Sequence, residues 1–386
     1  MKKRTISFRY FSILLGPILS LGIFFALCGE VGAKEIIRVL ILRDVPFCQV
    51  TGQALVLRDL QTGQTFFHNK RISSLTIERE GGSRLRVRGQ AISGRSFLLT
   101  SSHGPMGING RRYRDKLKIS PGQNGDVWVV NELALEDYLV GLINYEISSQ
   151  WPTEAIKAQA ITARTYAAFQ KGNRQDWLYD LDSGVVDQVY KGVGQEDALS
   201  RQAVKKTEGE LLLYQGNPIV SVYHACCGGK TESPESLWAG SFPYLRSAAC
   251  PYCLDSPHFL WNYRMDSEDL IKFMGGMGLA PSRVLGMELG ERSESRRVLR
   301  LVIKGERTRL EISGKEFRRL IGYDLLRSTN FVVKESHGSF LFSGLGWGHG
   351  VGLCQWGAKG MAETGADYRS ILKYYYQDVT IGKMAK

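Results

Sequence analysis

Beyond residue 33 no segment has the roughly 20 consecutive apolar residues that a membrane-spanning helix needs, which excludes a multi-span helical membrane protein. No His-Glu-X-X-His run occurs, which argues against a zinc peptidase of that kind. No Gly-X-Gly-X-X-Gly register fits, and Gly228-Gly229-Lys230-Thr231 lacks the upstream glycine of a phosphate-binding loop, so nucleotide chemistry is not indicated. Internal repeats and low-complexity linkers are missing too. With 43% hydrophobic and 23% charged residues, the composition is that of a globular protein and not of a disordered one.

What is abundant is glycine, 43 residues, much of it in Gly-X-Gly runs that point to special backbone turns. The N-terminus reads as an export signal: Lys2, Lys3, Arg4 and Arg9 lead, residues 11–27 are apolar, and Val31-Gly32-Ala33 offers small residues for cleavage after Ala33. A retained N-terminal membrane anchor is the alternative, although the apolar run is slightly short for a span. Export would place the mature chain in the periplasm or cell envelope. The formal charge is +12, and residues 1–33 carry four basic and one acidic side chain, leaving +9 afterwards. Such a surface suits anionic wall polymers or headgroups as well as simple solubility, and export makes nucleic acid the least fitting partner.

The fold class expected is α+β, with residues 34–130 as a β-rich section and residues 131–386 as a catalytic body. Ile37-Arg38-Val39-Leu40-Ile41-Leu42 opens the strands, and Ser83-Arg84-Leu85-Arg86-Val87-Arg88 alternates as a half-buried strand does. Leu135, Leu139 and Leu142 share a helical face that extends to Glu146. Pro152 opens a second, alanine-rich helix running to about Lys171. Ile219 to Tyr223 reads as a strand. Residues 262–335 read as a mixed α/β unit, with helices at 266–274 and 314–321 and a hairpin turning near Gly305. A Gly-rich loop, Gly344 to Gly352, precedes two final helices.

Glu146 is the first candidate for chemistry. On an apolar stripe, burial would raise its carboxyl pKa, as a general acid near neutrality requires. Glu136, Asp137 and Glu154 are second carboxylates that read more simply as solvated helix charges. The cysteines form the second candidate, since His224, Cys226 and Cys227 precede Cys250-Pro251-Tyr252-Cys253. Three thiolates and one imidazole would satisfy tetrahedral zinc, whereas disulfides are open to any exported protein.

The run Tyr138-Leu139-Val140-Gly141-Leu142-Ile143-Asn144-Tyr145-Glu146, followed by Trp151-Pro152-Thr153-Glu154-Ala155-Ile156-Lys157-Ala158-Gln159-Ala160-Ile161-Thr162-Ala163-Arg164-Thr165-Tyr166, closely resembles the signature of the SpoIID/LytB family. Tyr223-His224, Cys227-Gly228-Gly229-Lys230-Thr231, Pro243-Tyr244-Leu245-Arg246 and Gly348-His349-Gly350-Val351-Gly352-Leu353-Cys354-Gln355-Trp356-Gly357 carry the resemblance onward. The family usually continues Glu-Met-Pro where this chain has Glu146-Ile147-Ser148. The resemblance implies lytic transglycosylase activity on peptidoglycan glycan strands, particularly those stripped of stem peptides, with Glu146 as catalytic residue. Lys157, Gln159, Arg164, Tyr166, His349 and Gln355 are then the candidate substrate-binding residues. The resemblance favours a structural zinc on His224, Cys227, Cys250 and Cys253, because Cys227 holds the family position before Gly228-Gly229, with disulfides as the competing reading. The family's enhancer branch implies the alternative, a non-catalytic wall-binding stimulator of an N-acetylmuramoyl-L-alanine amidase.

Overall fold

In the computed structural model the described residues are 34–82, 84–122, 126–238, 240, 242–278 and 281–383; the signal or anchor expected at residues 1–33 lies outside them. The described residues open with ten strands: β1 Ile36–Val45, β2 Phe47–Asp59, β3 Thr65–Gly81, β4 Arg84–Val87, β5 Gln90–Ser93, β6 Phe97–Ser101, β7 Met106–Ile108, β8 Arg111–Tyr113, β9 Lys116–Pro121 and β10 Val127–Ala134. They pair antiparallel in the order β1-β10-β9-β6-β2-β3-β4-β5, while β7 joins β2 and carries β8. Alternation decides which side is buried. Leu57, Leu99, Leu117, Val127 and Val129 face one core, and Arg58 and Lys116 point outward. Strand β11 (Leu181–Asp182) adds in parallel beside β1.

Helices α1 (Leu135–Glu146) and α2 (Thr153–Asn173) pack on this sheet. Leu135, Leu139 and Leu142 are buried as their spacing predicts. The small side chains of α2 (Ala155, Ala158, Ala160, Ala163 and Ala167, all 2% exposed or less) let neighbours approach its backbone. Next come α3 (Ala198–Lys206), β12 (Leu211–Tyr214), β13 (Asn217–Pro218) and β14 (Tyr223–His224). The strand expected from Ile219 is confined to β14, because residues 219–222 find their partners one by one. Val220 N–H donates to the Tyr244 hydroxyl, Ser221 Oγ donates to the Thr162 carbonyl, and Ser221 and Val222 N–H turn back on Ile219 and Val220.

The mixed unit forms a core of its own from β15 (Leu260–Asp266), α4 (Ser267–Gly276), β16 (Val284–Leu289), β17 (Arg300–Gly305), β18 (Arg309–Ser313), α5 (Gly314–Ile321), β19 (Phe331–Ser336) and β20 (Ser339–Leu345). The hairpin β17–β18 and helix α5 stand where the sequence pattern puts them, and the unit extends through β20. The Gly-rich loop then leads to β21 (Leu353–Cys354), α6 (Gln355–Glu363), α7 (Tyr368–Tyr375) and β22 (Thr380–Gly382). Gly346, Gly348, Gly350 and Gly352 all have positive φ, which accounts for the alternating pattern. A Cβ on Gly348 would meet His224 Cβ at 2.6 Å, and one on Gly350 would meet the Arg297 guanidinium at 2.5 Å. The loop is thus wedged between two elements and has no room for side chains there.

Candidate active site and cysteine cage

Glu146 is the last residue of α1, where the apolar stripe ends and the chain turns toward Pro152. A carboxyl here sits at the negative end of the helix dipole, which favours its protonated form. It is half-buried by accessible area, yet its carboxyl lies deep enough that desolvation dominates its titration and pushes the pKa up. The opposing pull comes from groups that favour the anion: Val189 N–H donates to Oε1 at 2.8 Å, and the nearby Tyr223 and Gln355 side chains pull the pKa in the same direction.

Those partners are fixed by a buried network. Asp187 accepts from Tyr166 Oη (2.8 Å), Arg174 Nη1 (2.6 Å) and Asp182 N–H (2.8 Å), which pins the loop bearing Val189. Gln188, 1% exposed, accepts from Tyr138 Oη at 3.0 Å and donates from Nε2 to Ala163 O and the Tyr223 hydroxyl, each at 3.3 Å. Gln355 donates to Gln159 Oε1 at 3.4 Å.

The carboxyl lies in an open groove of about 520 Å³ that is also lined by Tyr145, Trp151, His258, Gln355 and Trp356. Trp151 and Trp356 meet edge to face with centroids 5.0 Å apart. His258 stands edge-on to Trp347 at 4.6 Å, and burial and the Arg327 charge lower its pKa. No second Asp or Glu lines this groove among the described residues. A larger hollow of about 680 Å³ beside β15, β19 and β20 is lined by Leu260, Trp261, Phe331 and Val332 and has no carboxylate. Size therefore does not identify the site; the titratable acid does.

Of the residues expected to bind substrate, only Gln355 lines the groove. Gln159 sits behind it, 1% exposed. The structure revises the others. Lys157 pairs with Glu154 at 2.6 Å and lies over the Tyr368 ring. Arg164 is buried in a two-pronged pair with Glu136 (2.8 and 2.7 Å) and reaches the Val204 and Glu210 carbonyls. The Tyr166 hydroxyl is committed to Asp187. His349 has both ring nitrogens occupied: Nε2 donates to the Tyr223 carbonyl at 2.9 Å, and Nδ1 accepts from Val351 N–H at 3.1 Å. Burial drives its pKa down to about 3, so it is a neutral brace behind Tyr223. Tyr223, Val189, Trp151, Trp356 and His258 carried no signal that tied them to Glu146. The adjacent tryptophans and tyrosine stood within the quoted motifs but without an assigned role.

The cysteine cage is corrected at one position. The thiols that converge belong to Cys227, Cys250, Cys253 and Cys354, all buried, with sulfurs within 4.8 Å of one another. His224 is not in the set: its Nδ1 faces the Val351 carbonyl at 3.1 Å and its ring packs on His349. Parallel pairing of β14 with β21 brings in Cys354, which caps α6 and accepts from the Cys227 and Gly357 N–H groups, each at 3.3 Å. A Cβ on Gly357 would meet Cys250 Sγ at 2.6 Å, so glycine preserves the space beside the cage. All six described cysteines are free thiols. Burial and the neighbouring thiols hold the Cys354 thiol well above its ordinary range. Four ionised sulfurs this close require a cation, and the cage could hold one metal ion.

Fold and groove together define a protein with a single carboxyl acid set at a helix end, braced by a glycine loop. A family model described as Stage II sporulation protein matches residues 123–214, which contain Glu146 and Val189. A model described as a domain of unknown function (DUF8618) matches residues 254–352. The chain is 34% identical over 275 residues to an uncharacterized protein of Brachyspira hyodysenteriae, covering 71% of this chain and 73% of that one. It is 30% identical over 269 residues to stage II sporulation protein D of Bacillus subtilis, covering 66% and 76%. To the amidase enhancer of Bacillus subtilis it is 28% identical over 291 residues, covering 63% and 40%. The chain belongs to the SpoIID/LytB family.

Proposed function

We propose that this protein is an exported lytic transglycosylase that cleaves peptide-free glycan strands of peptidoglycan, with Glu146 as its one acid and base. The observation that carries the reading is the lone carboxyl of the groove. A hydrolytic glycosidase ordinarily needs a second carboxylate to activate water or attack the sugar, and among the described residues no other Asp or Glu lines this groove. In the lytic reaction the protonated Glu146 donates to the bridging oxygen as the bond to the anomeric carbon breaks. The resulting carboxylate takes the proton from the muramoyl 6-hydroxyl as that oxygen bonds to the same carbon. An internal 1,6-anhydro ring forms, the departing sugar keeps the donated proton, and no water is consumed.

The surroundings suit both halves of the cycle. Burial favours the acid before the first transfer, and Val189 N–H, Tyr223 and Gln355 receive the anion after it. The test is incubation of the mature protein with peptide-free strands. Anhydro-ended products that vanish with Glu146→Gln support the assignment, and products unchanged by Glu146→Gln reject it.

The likeness to a protein named amidase enhancer favours a second reading, a non-catalytic activator of a wall amidase. In that case strands stay intact, and the protein accelerates an added N-acetylmuramoyl-L-alanine amidase equally well with Glu146→Gln. For the cysteine cage the fitting ion is zinc: four thiolates at a zinc–sulfur distance of about 2.3 Å stand roughly 3.8 Å apart, within the observed spread. Zinc there would link the Gly228-Gly229 turn, the 250–253 turn and α6, and four sulfurs leave no position for substrate. An ion would also keep the buried thiols reduced in an exported protein. Residues 1–33 act in this reading as the export signal, cleaved after Ala33, and N-terminal sequencing of the mature protein tests that.

A further inference from the structure

Charge is distributed unevenly along the chain. Residues 34–122 contain sixteen Lys and Arg against six Asp and Glu, whereas residues 123–386 contain thirty against thirty-one. The excess thus belongs to the β-rich section, and part of it reaches the groove. Hairpin β7–β8 ends on Arg111 and Arg112, both exposed. It packs against the turn 192–195, whose Gln195 lines the groove. The approach is close enough that a Cβ on Gly192, at φ +77°, would stand 2.0 Å from the Arg112 carbonyl oxygen. Lys191 leads into the same turn and holds its ammonium 5.3 Å above the ring of Tyr145, itself a groove residue. Arg111 also lies beside Tyr113 and acts on its hydroxyl.

None of Arg111, Arg112 and Lys191 forms an ion pair among the described residues. The nearby cations that do are already spent: Arg114 pairs with Glu196, which also receives Arg201. Three cations without an ion pair among the described residues therefore stand on or against the segment that leads to Gln195 at one end of the groove, and Glu146 is the one acid among the described residues that line it.

We propose that Arg111, Arg112 and Lys191 form an anionic subsite that extends the groove and binds the free lactyl carboxylates of a glycan strand. This rests on the glycan reading given above and deepens it. A muramoyl residue stripped of its peptide exposes that carboxylate, whereas an attached stem peptide ties it up as an amide. Peptide-free strands accordingly present a negative charge on every second sugar. Arginine's planar fork matches a carboxylate, and the ammonium of Lys191 adds a point charge. The subsite would select stripped strands by charge, at a distance from the bond that breaks.

The experiment measures binding in the Glu146→Gln background, with short peptide-free strands and with the same strands after conversion of their carboxylates to methylamides. Each exposed contact contributes roughly a factor of two, so the carboxylate strands should bind about tenfold tighter at low salt, and this preference should shrink as salt is added. With Arg111→Ala, Arg112→Ala and Lys191→Ala combined, both strands should bind as the amidated strand does. The pair Arg111→Glu and Arg112→Glu should invert the preference. Equal binding of the two strands by the parent, a preference that survives the triple change, or no binding of either strand overturns the subsite. Turnover by the protein with Glu146 intact reads the chemistry separately. Cutting without preference rejects the subsite and leaves the acid standing, and preference without cutting does the reverse.

Discussion

Replacing Arg164 with alanine should destabilise the helical layer without touching the groove. Its side chain is 1% exposed and holds Glu136 with two hydrogen bonds of 2.8 and 2.7 Å. The same guanidinium donates to the Val204 carbonyl at 3.3 Å and the Glu210 carbonyl at 3.2 Å. Alanine leaves the Glu210 carbonyl short of a donor, at about 1 kcal/mol, whereas the Val204 carbonyl keeps the Thr207 N–H and hydroxyl. The ion pair adds about 1–2 kcal/mol after a discount for solvent at Glu136, which is 31% exposed. The total is about 2–3 kcal/mol. With an unfolding entropy of roughly 2.1 cal/mol/K per residue over a body of ~350 residues, that is a fall in Tm of about 3–4 °C. Calorimetry of the ligand-free protein reads it, and Arg164→Lys should fall between, keeping the charge but losing the fork. A Tm within a degree of the parent, together with weakened strand binding, would refute this structural role and restore Arg164 to the substrate.

Other outcomes follow from the same geometry. Glu146→Gln should raise stability at alkaline pH and change little in acid. A carboxyl whose folded pKa is raised stabilises the fold fully below its unfolded value, and that contribution is lost as pH rises through the folded value, so removing the charge matters only above it; matched thermal melts from pH 4 to pH 8 check this. For the same reason turnover should decline with rising pH at a point above the ordinary carboxyl range. Cys354→Ala should abolish binding of one equivalent of zinc and lower Tm, whereas His224→Ala should leave the stoichiometry intact, as metal analysis of the purified variants would show. His349→Phe should loosen Tyr223 and lower turnover without removing any titration near neutrality, because this imidazole stays neutral well below that range.

Much of the scaffold was legible because it follows local periodicity. The stripe of Leu135, Leu139 and Leu142 gave α1 and put Glu146 at its end, and Gly314 to Ile321 read directly as a helix. What surrounds Glu146 was less legible, since Val189, Tyr223, Gln355 and His258 come from four separate segments and meet only after folding. Helical spacing shows that Lys157 and Arg164 share a face, but not that Glu154 and Glu136 await them there. Cys354 lies a hundred residues from Cys253, beyond any ligand spacing, and joins the cage through the parallel β14–β21 pair. The residues at 219–222 have strand composition, but between the single bonds of Ile219 to Leu212 in β12 and of Leu353 in β21 to Val222 the N–H groups of Ser221 and Val222 turn back on the segment itself, so tertiary context overrode propensity.

The most direct test of the account is the mass of the new strand ends when peptide-free glycan is cut in ¹⁸O-labelled water. A lone carboxyl guiding an internal attack predicts muramoyl ends that are one water lighter than the hydrolytic product and free of ¹⁸O, with none formed by Glu146→Gln. Ends that carry solvent oxygen would contradict it, because water would then be the nucleophile and a second activating group would have to exist.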